Sequence, residues 1–238
     1  MPKIEMLNNV SHQDLKIITK KAACFGDNVV GSLIFPAEIA LAHKEYPIYF
    51  QKDVDTGAFQ IIVLFGFFDE QNLFLTDDGW QADFIPALIR REPFMIGFQE
   101  AGQESPTPVL HVDMDSPRIS KTDEGERVFL ESGGNSHFLE DINKQLAIVH
   151  GGFESTTAMF KTFIELDLVE SFTLDIKFND GHQFKTNRYY TLNQDKLLTL
   201  DDKIIADMHR SGHLQLAYMI LQSLSNVKRL IDKRNALS

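Results

Sequence analysis

Apolar residues come in short blocks up to about residue 114, widen to a helical spacing between 136 and 168, and return to short blocks before a helical end. Pro36 suits a first helical turn, so a short helix is predicted through Ala37, Glu38, Ile39 and Ala40. It stops before Pro47, which disfavours helix at Tyr46. Ile48 to Lys52 reads as a strand, Asp53-Val54-Asp55-Thr56-Gly57 as a turn, and Phe59 to Phe68, rich in β-branched and aromatic residues, as a strand buried on both faces. Asn72 to Thr76 is predicted as a third strand, followed by turn chemistry at Asp77-Asp78-Gly79. Trp80 to Arg91 reads as a short helix that begins or kinks at Pro86. Phe94 to Gln99 and Val109 to Met114 are further strands. Their link, Glu100 to Pro108, holds glycine, serine and two prolines and is the candidate for a mobile surface loop.

Ser136 to Leu168 is the longest helical pattern, with Phe138, Ile142, Leu146, Val149, Phe153, Met159, Phe160, Phe163 and Leu166 near helical spacing. Gly151-Gly152 predicts a break into two helices, since each glycine costs about 1 kcal/mol in a helix interior. Leu174 to Phe178 and His182 to Tyr190 flank Asn179-Asp180-Gly181, residues that accept the positive φ of a tight hairpin turn. Helices are then predicted over Gln194 to Leu198, Asp201 to Arg210 and Leu214 to Arg234, the last with a stripe of Leu214, Ala217, Leu221, Leu224, Val227 and Ile231. The order lacks the regular strand–helix alternation of a doubly wound fold. It predicts an α+β fold: a mainly antiparallel sheet, a long central helix, a β-hairpin near 174–190 and a helical C-terminal portion. Residues 1–25 read as a weakly structured segment and 26–238 as a single domain.

The charge balance narrows the partners. A net charge of −11 over 238 residues disfavours nucleic acid, whose phosphates need a basic surface, and anionic membranes. The one cysteine, Cys24, precludes an internal disulfide and reads as a small structural or incidental residue. Met1 to Lys21 has no central apolar region of a secretory signal. The longest apolar stretch, Ala58 to Phe68, is interrupted by Gln60 and falls short of the ~20 residues that span a bilayer. The expectation is a soluble cytoplasmic protein without membrane insertion; the alternative is export to the cell surface without a cleaved signal.

Chemistry is concentrated in a few places. If Val109 to Met114 is a strand, His111, Asp113 and Asp115 share a face. A His-x-Asp pair with a distant histidine (His150, His182 or His209) is the donor set of a non-haem iron site. The competing reading is a solvent-facing triplet with Asp115-Ser116-Pro117 capping a turn; on that reading no cofactor is needed. Arg90 and Arg91, at the end of a short helix, can hold a carboxylate or phosphate, or complement the helix dipole. Trp80 can pack at a pocket rim or in the core. Glu38 reads as a solvated helix acid, with a buried, shifted acid as the alternative. His209 and Arg210 before Gly212 suit a helix C-terminus, as Lys228, Arg229, Lys233 and Arg234 suit that of the last helix. No phosphate-cradling glycine loop, zinc-spaced cysteines, nucleophile elbow or HExxH is present.

Several short patterns occur in one order: Tyr46-Pro47-Ile48, Asn72-Leu73-Phe74, Trp80, Ile85-Pro86-Ala87-Leu88, Pro93-Phe94, Asp113, Ser116-Pro117, Gly125-Glu126, Phe129, Thr157, Phe160 and the Leu197 to Leu224 helices. This set resembles the SapC-like proteins of Proteobacteria over most of the chain. Glu92, His111 and His213 depart from it: the family shows aromatics at 92 and 213 and no histidine at 111. The family name derives from a paracrystalline surface layer. The resemblance implies company with TonB-dependent receptors, flavin-dependent halogenase-like proteins and cupin-like proteins, hence uptake or modification of an external nutrient or peptide. Three readings follow: a non-catalytic binding or accessory protein of such an envelope system, with a small ligand or protein partner; a metal-assisted enzyme using His111 and Asp113 with iron; and a surface-layer structural protein. The candidate ligand-binding residues are Trp80, Arg90, Arg91, Asp113 and Asp115.

Overall fold

The first 25 residues, which the sequence predicts as weakly structured, supply two strands, β1 (Ile4–Met6) and β2 (Lys16–Ile17), each paired with a strand later in the chain. Leu15 and Ile17 are buried there, so this segment is tied down by apolar burial. The structure, a computed structural model, describes residues 3–99 and 107–237.

β3 (Gly31–Ile34) leads through a 3-10 turn at Pro36–Glu38 into α1 (Ile39–Ala42). β4 (Ile48–Lys52) and β5 (Phe59–Leu64) follow, paired antiparallel from Ile48↔Val63 to Lys52↔Phe59. The turn between them is set by Asp53, whose Oδ1 accepts from the Thr56 amide at 2.9 Å and the Asp55 amide at 3.2 Å, the Asx geometry that makes aspartate a turn residue. The third predicted strand is reduced to β6 (Leu75–Thr76), which pairs with β7 (Gly79–Trp80) across the Asp77-Asp78 turn. The predicted Trp80–Arg91 helix is only α2 (Ala87–Arg90), with Pro86 as its N-cap. Proline fits the start of a helix and cannot sit inside one without losing a hydrogen bond.

β8 (Phe94–Gln99) and β9 (Thr107–Asp113) form the next pair. Of the predicted mobile loop, Glu100 to Pro108, residues 100–106 lie outside the described residues, and Thr107 and Pro108 begin β9. After β10 (Glu126–Arg127), α3 runs unbroken over His137–Glu165. The predicted break at Gly151-Gly152 does not occur. A Cβ on Gly152 would stand 2.2 Å from Phe35 Cγ: the glycine is there so that the Phe35 ring can lie against the helix, and burial of that ring outweighs the propensity cost. Ser136 Oγ caps the helix by accepting from the Leu139 amide at 3.2 Å.

β11 (Val169–Ser171) precedes the hairpin of β12 (Leu174–Lys177) and β13 (Gln183–Thr186). β14 (Tyr190–Leu192) follows. The sequence joined β13 and β14 into one strand; the chain instead leaves the hairpin after Thr186 and pairs β14 with β11 and β4. The end is helical: α4 (Gln194–Leu198), α5 (Asp202–Arg210), α6 (His213–Ser223) and α7 (Asn226–Asn235). α6 and α7 were read as one helix. They separate at Leu224-Ser225, where Asn226 Nδ2 donates to the carbonyls of His43 at 2.8 Å and Tyr46 at 3.1 Å.

The fold is α+β. Its main sheet is antiparallel with strand order β11-β14-β4-β5-β3; a second has the order β1-β9-β8, and among the described residues there are also three two-stranded sheets. Two apolar clusters result. The larger joins the five-stranded sheet to the C-terminal half of α3 (Met159, Phe160, Phe163) and to α6 and α7. The smaller gathers Leu15, Ile17, Phe94, Val112, Val128 and Phe129 around the N-terminal half of α3 (Leu139, Ile142, Leu146). Each buried Phe, Leu or Ile contributes about 1.5–3 kcal/mol. α3 belongs to both clusters. Among the described residues no helix is long and apolar enough to cross a membrane.

Candidate functional site

The most unusual chemistry lies where the two clusters meet. Arg118 is 2% exposed and Asp27 is 3% exposed. Arg118 Nη2 donates to both Asp27 carboxylate oxygens at 2.6 Å, and Nη1 donates to the carbonyls of Ile18 and Lys20, each at 3.1 Å. Asp27 Oδ2 also accepts from the Ala22 amide at 2.8 Å. The Phe25 ring lies under the guanidinium at 5.3 Å. A buried ion pair recovers its desolvation cost only when such further hydrogen bonds are made. One group is left over: Arg118 Nε is buried and has no partner.

Lys21 lies beside this pair. Its Nζ donates to the Ile89 carbonyl at 3.0 Å and stands 3.6 Å from Asp27 Oδ1. Burial, seconded by the Arg118 charge, pulls its pKa down to about 8. Perturbed groups of this kind concentrate at functional sites.

α2 closes the other side. Its placement comes from Glu38, which is buried rather than solvated as the sequence suggested. Glu38 Oε1 accepts from the Ala87 amide at 2.7 Å and Oε2 from the Phe35 amide at 3.0 Å, so one carboxylate satisfies the first amides of two helical turns. Burial pushes its pKa up. At the far end of α2, Arg90 pairs with Asp141 of α3. Between them lies a cleft of about 230 Å³ with apolar walls from Ile17, Ile18, Ile85, Phe138 and Ile142; its polar lining includes Lys21, Arg118, Arg90, Glu92 and Asp141. A hollow of about 420 Å³ also has Ile85 and Arg90 in its wall, with Glu38. The buried face of the cleft thus carries N–H donors, and the acidic groups sit nearer solvent. That suits an oxygen acceptor, a carboxylate or carbonyl, on an apolar body.

Of the candidate ligand-binding residues Trp80, Arg90, Arg91, Asp113 and Asp115, only Arg90 lines this cleft. Arg91 turns the other way: Nη1 donates to the Phe94 carbonyl at 2.6 Å, and the side chain borders a hollow with Phe98 and His150. Trp80 packs in the larger cluster, edge-on to Phe65 at 5.0 Å, and its Nε1 donates to Tyr46 Oη at 2.9 Å. Asp113 ends β9, and Asp115 lies beyond it, so the two do not share a strand face. They build a turn: Asp113 Oδ1 accepts from the Asp115 amide at 3.0 Å, and Asp115 Oδ2 from the Lys3 amide at 2.9 Å. His111 sits in mid-strand opposite Met6 and Met95. Among the described residues no three of His, Cys, Asp and Glu converge on a point that could hold a metal. Lys21, Asp27 and Arg118 were missed in the sequence. Nothing local marks them: Lys21 and Asp27 flank a 3-10 turn at Ala23–Phe25, and Arg118 comes from a turn some ninety positions later.

No curated protein and no solved structure matches this chain. The SapC family model matches residues 7–230, a span that takes in both clusters and every residue of the cleft, and the chain belongs to the SapC family.

Proposed function

We propose that the protein is a non-catalytic binding or accessory protein of a bacterial envelope uptake or modification system, and that the cleft at Lys21 receives a carboxylate or carbonyl of its ligand. The envelope setting rests on the family's usual company. The ligand class rests on one observation: at the buried face of the cleft, Arg118 Nε has no acceptor and Lys21 is a donor held with a lowered pKa. The other cations nearby are already engaged, Arg90 with Asp141 and Arg91 with Glu92, which suits holding a ligand more than transforming it.

Benzoate, an apolar ring with one carboxylate, is the test probe, titrated against the full chain and followed by NMR. Binding is expected at neutral pH, weakening as the pH passes through about 8 and Lys21 loses its proton. Lys21→Met is expected to weaken it by tenfold or more, as loss of a charged hydrogen bond does. If benzoate and N-acetylglycine leave the cleft resonances unmoved at tens of millimolar, or bind Lys21→Met as well as the native chain, the assignment is wrong.

A further inference from the structure

A second pocket lies away from the cleft, between the five-stranded sheet and the middle of α3. It is a half-open hollow of about 290 Å³, with Leu33, Phe35, Phe59, Ile61 and Phe153 among its walls and Thr156 from α3. Among the described residues, Asp53 is the only charged one in its lining.

Thr156 is 8% exposed, and its Oγ1 has no hydrogen-bond partner. Neighbouring hydroxyls on the same helix behave differently. Ser155 Oγ donates to the Gly152 carbonyl at 3.0 Å, and Thr157 Oγ1 to the Phe153 carbonyl at 3.0 Å. Folding back on the helix is the usual resting place for a mid-helix hydroxyl, and Thr156 does not use it. A buried hydroxyl without a partner is costly. The pocket also depends on Gly152: with no Cβ there, the Phe35 ring lies flat against α3.

We propose that this pocket is a binding site for a neutral compound of one aromatic ring bearing a single hydroxyl or carbonyl, hydrogen-bonded to Thr156. The size argument is direct, since an apolar cavity of about 150 Å³ already accepts benzene. Three phenylalanine rings line the pocket, which suits an aromatic guest. Asp53 argues against an anion: its oxygens already accept from Thr56, Asp55 and Gln60, and its pKa is lowered by those bonds, so it stays ionised.

The test compares p-cresol, toluene and 4-hydroxybenzoate, titrated into the native chain and into Thr156→Val and followed by NMR at the Phe153 and Thr157 amides. The native protein is expected to bind p-cresol about 2–10-fold more tightly than toluene, the worth of one hydrogen bond, and to bind 4-hydroxybenzoate least. Thr156→Val keeps the shape of the side chain and is expected to erase the preference for p-cresol while retaining toluene. Its melting temperature should match or exceed the native value, because the unpartnered hydroxyl is gone. If neither p-cresol nor toluene binds the native chain at millimolar concentration, or if Thr156→Val keeps the preference, the site is not there. The Lys21 cleft is read by different resonances and a different probe, so either site can fail without the other.

Discussion

Lys21 is a lysine whose surroundings disfavour its charge, and the consequence for stability has a definite sign. The unfolded chain holds this proton to about pH 10.5, whereas the folded chain releases it near 8. Between those values the unfolded state binds more protons, so folding stability rises with pH. The rise attributable to Lys21 is roughly 2–3 kcal/mol at 1.36 kcal/mol per pH unit. Urea unfolding of the native chain and of Lys21→Met from pH 7 to 10 should show the increment in the first and not the second; parallel curves would mean that Lys21 is not buried as described. Arg118 makes the complementary case. Arg118→Met leaves the buried Asp27 with the Ala22 amide at 2.8 Å and Lys21 at 3.6 Å as its counter-charge, and a cost of about 3–5 kcal/mol is expected. Asp27→Leu combined with Arg118→Met should recover most of it in the same assay, because then neither member of the pair is left without the other. At this scale the sequence is least legible. Arg90 was visible as a candidate because it ends a short helix next to another arginine. A buried pair joined across ninety positions leaves no periodicity to read, and Asp27 looks like any surface acid.

At the scale of elements the sequence speaks through its breakers. Asp53 and Asn179-Asp180-Gly181 set turns where they were expected, because their chemistry is local. Pro86 marked the start of α2, and the strong apolar run at Phe59 marked β5, an interior strand of the main sheet. The failures are tertiary. β6 and β7 are two residues each, too short to show a period, and β13 hands over to β14 where a new partner strand takes the chain. The glycine pair of α3 is the clearest instance: its two members look alike in sequence but face different surroundings. Gly151 meets nothing within 4 Å, whereas Gly152 meets Phe35. Gly151→Ala is therefore expected to stabilise the protein by about 0.5–1 kcal/mol through helix propensity, and Gly152→Ala to destabilise it by about 1–3 kcal/mol through overpacking. Thermal unfolding of both checks this; equal effects of one sign would mean that Phe35 does not lean on the helix. Glu38→Gln belongs here too. An amide can accept from Ala87 or from Phe35 but not from both, so a loss of about 1–3 kcal/mol is expected, with chemical-shift changes reaching Arg90 at the other end of α2.

The molecule as a whole has two apolar clusters of unequal size. The smaller, built on β2, β8, β9 and the N-terminal half of α3, buries fewer side chains than the one beneath the five-stranded sheet. Local opening follows local burial, so the amides of Ile96 and Val112 are expected to exchange with deuterium sooner than those of Ile61 and Val63. Benzoate should slow the first pair, since Ile17 and Ile142 of the smaller cluster wall the cleft. Uniform exchange across both clusters would show that they open as one unit. α3 is what they share, and it is continuous through its glycines. Asp141 on the cleft and Thr156 on the aromatic pocket sit on that one rod, about 22 Å apart along its axis at 1.5 Å per residue. A hinge at Gly151-Gly152 would have absorbed any tilt between them. A continuous helix works as a lever: whatever rocks one end is felt at the other, and a guest that braces the rod at Thr156 also sets how far Asp141 can swing from Arg90.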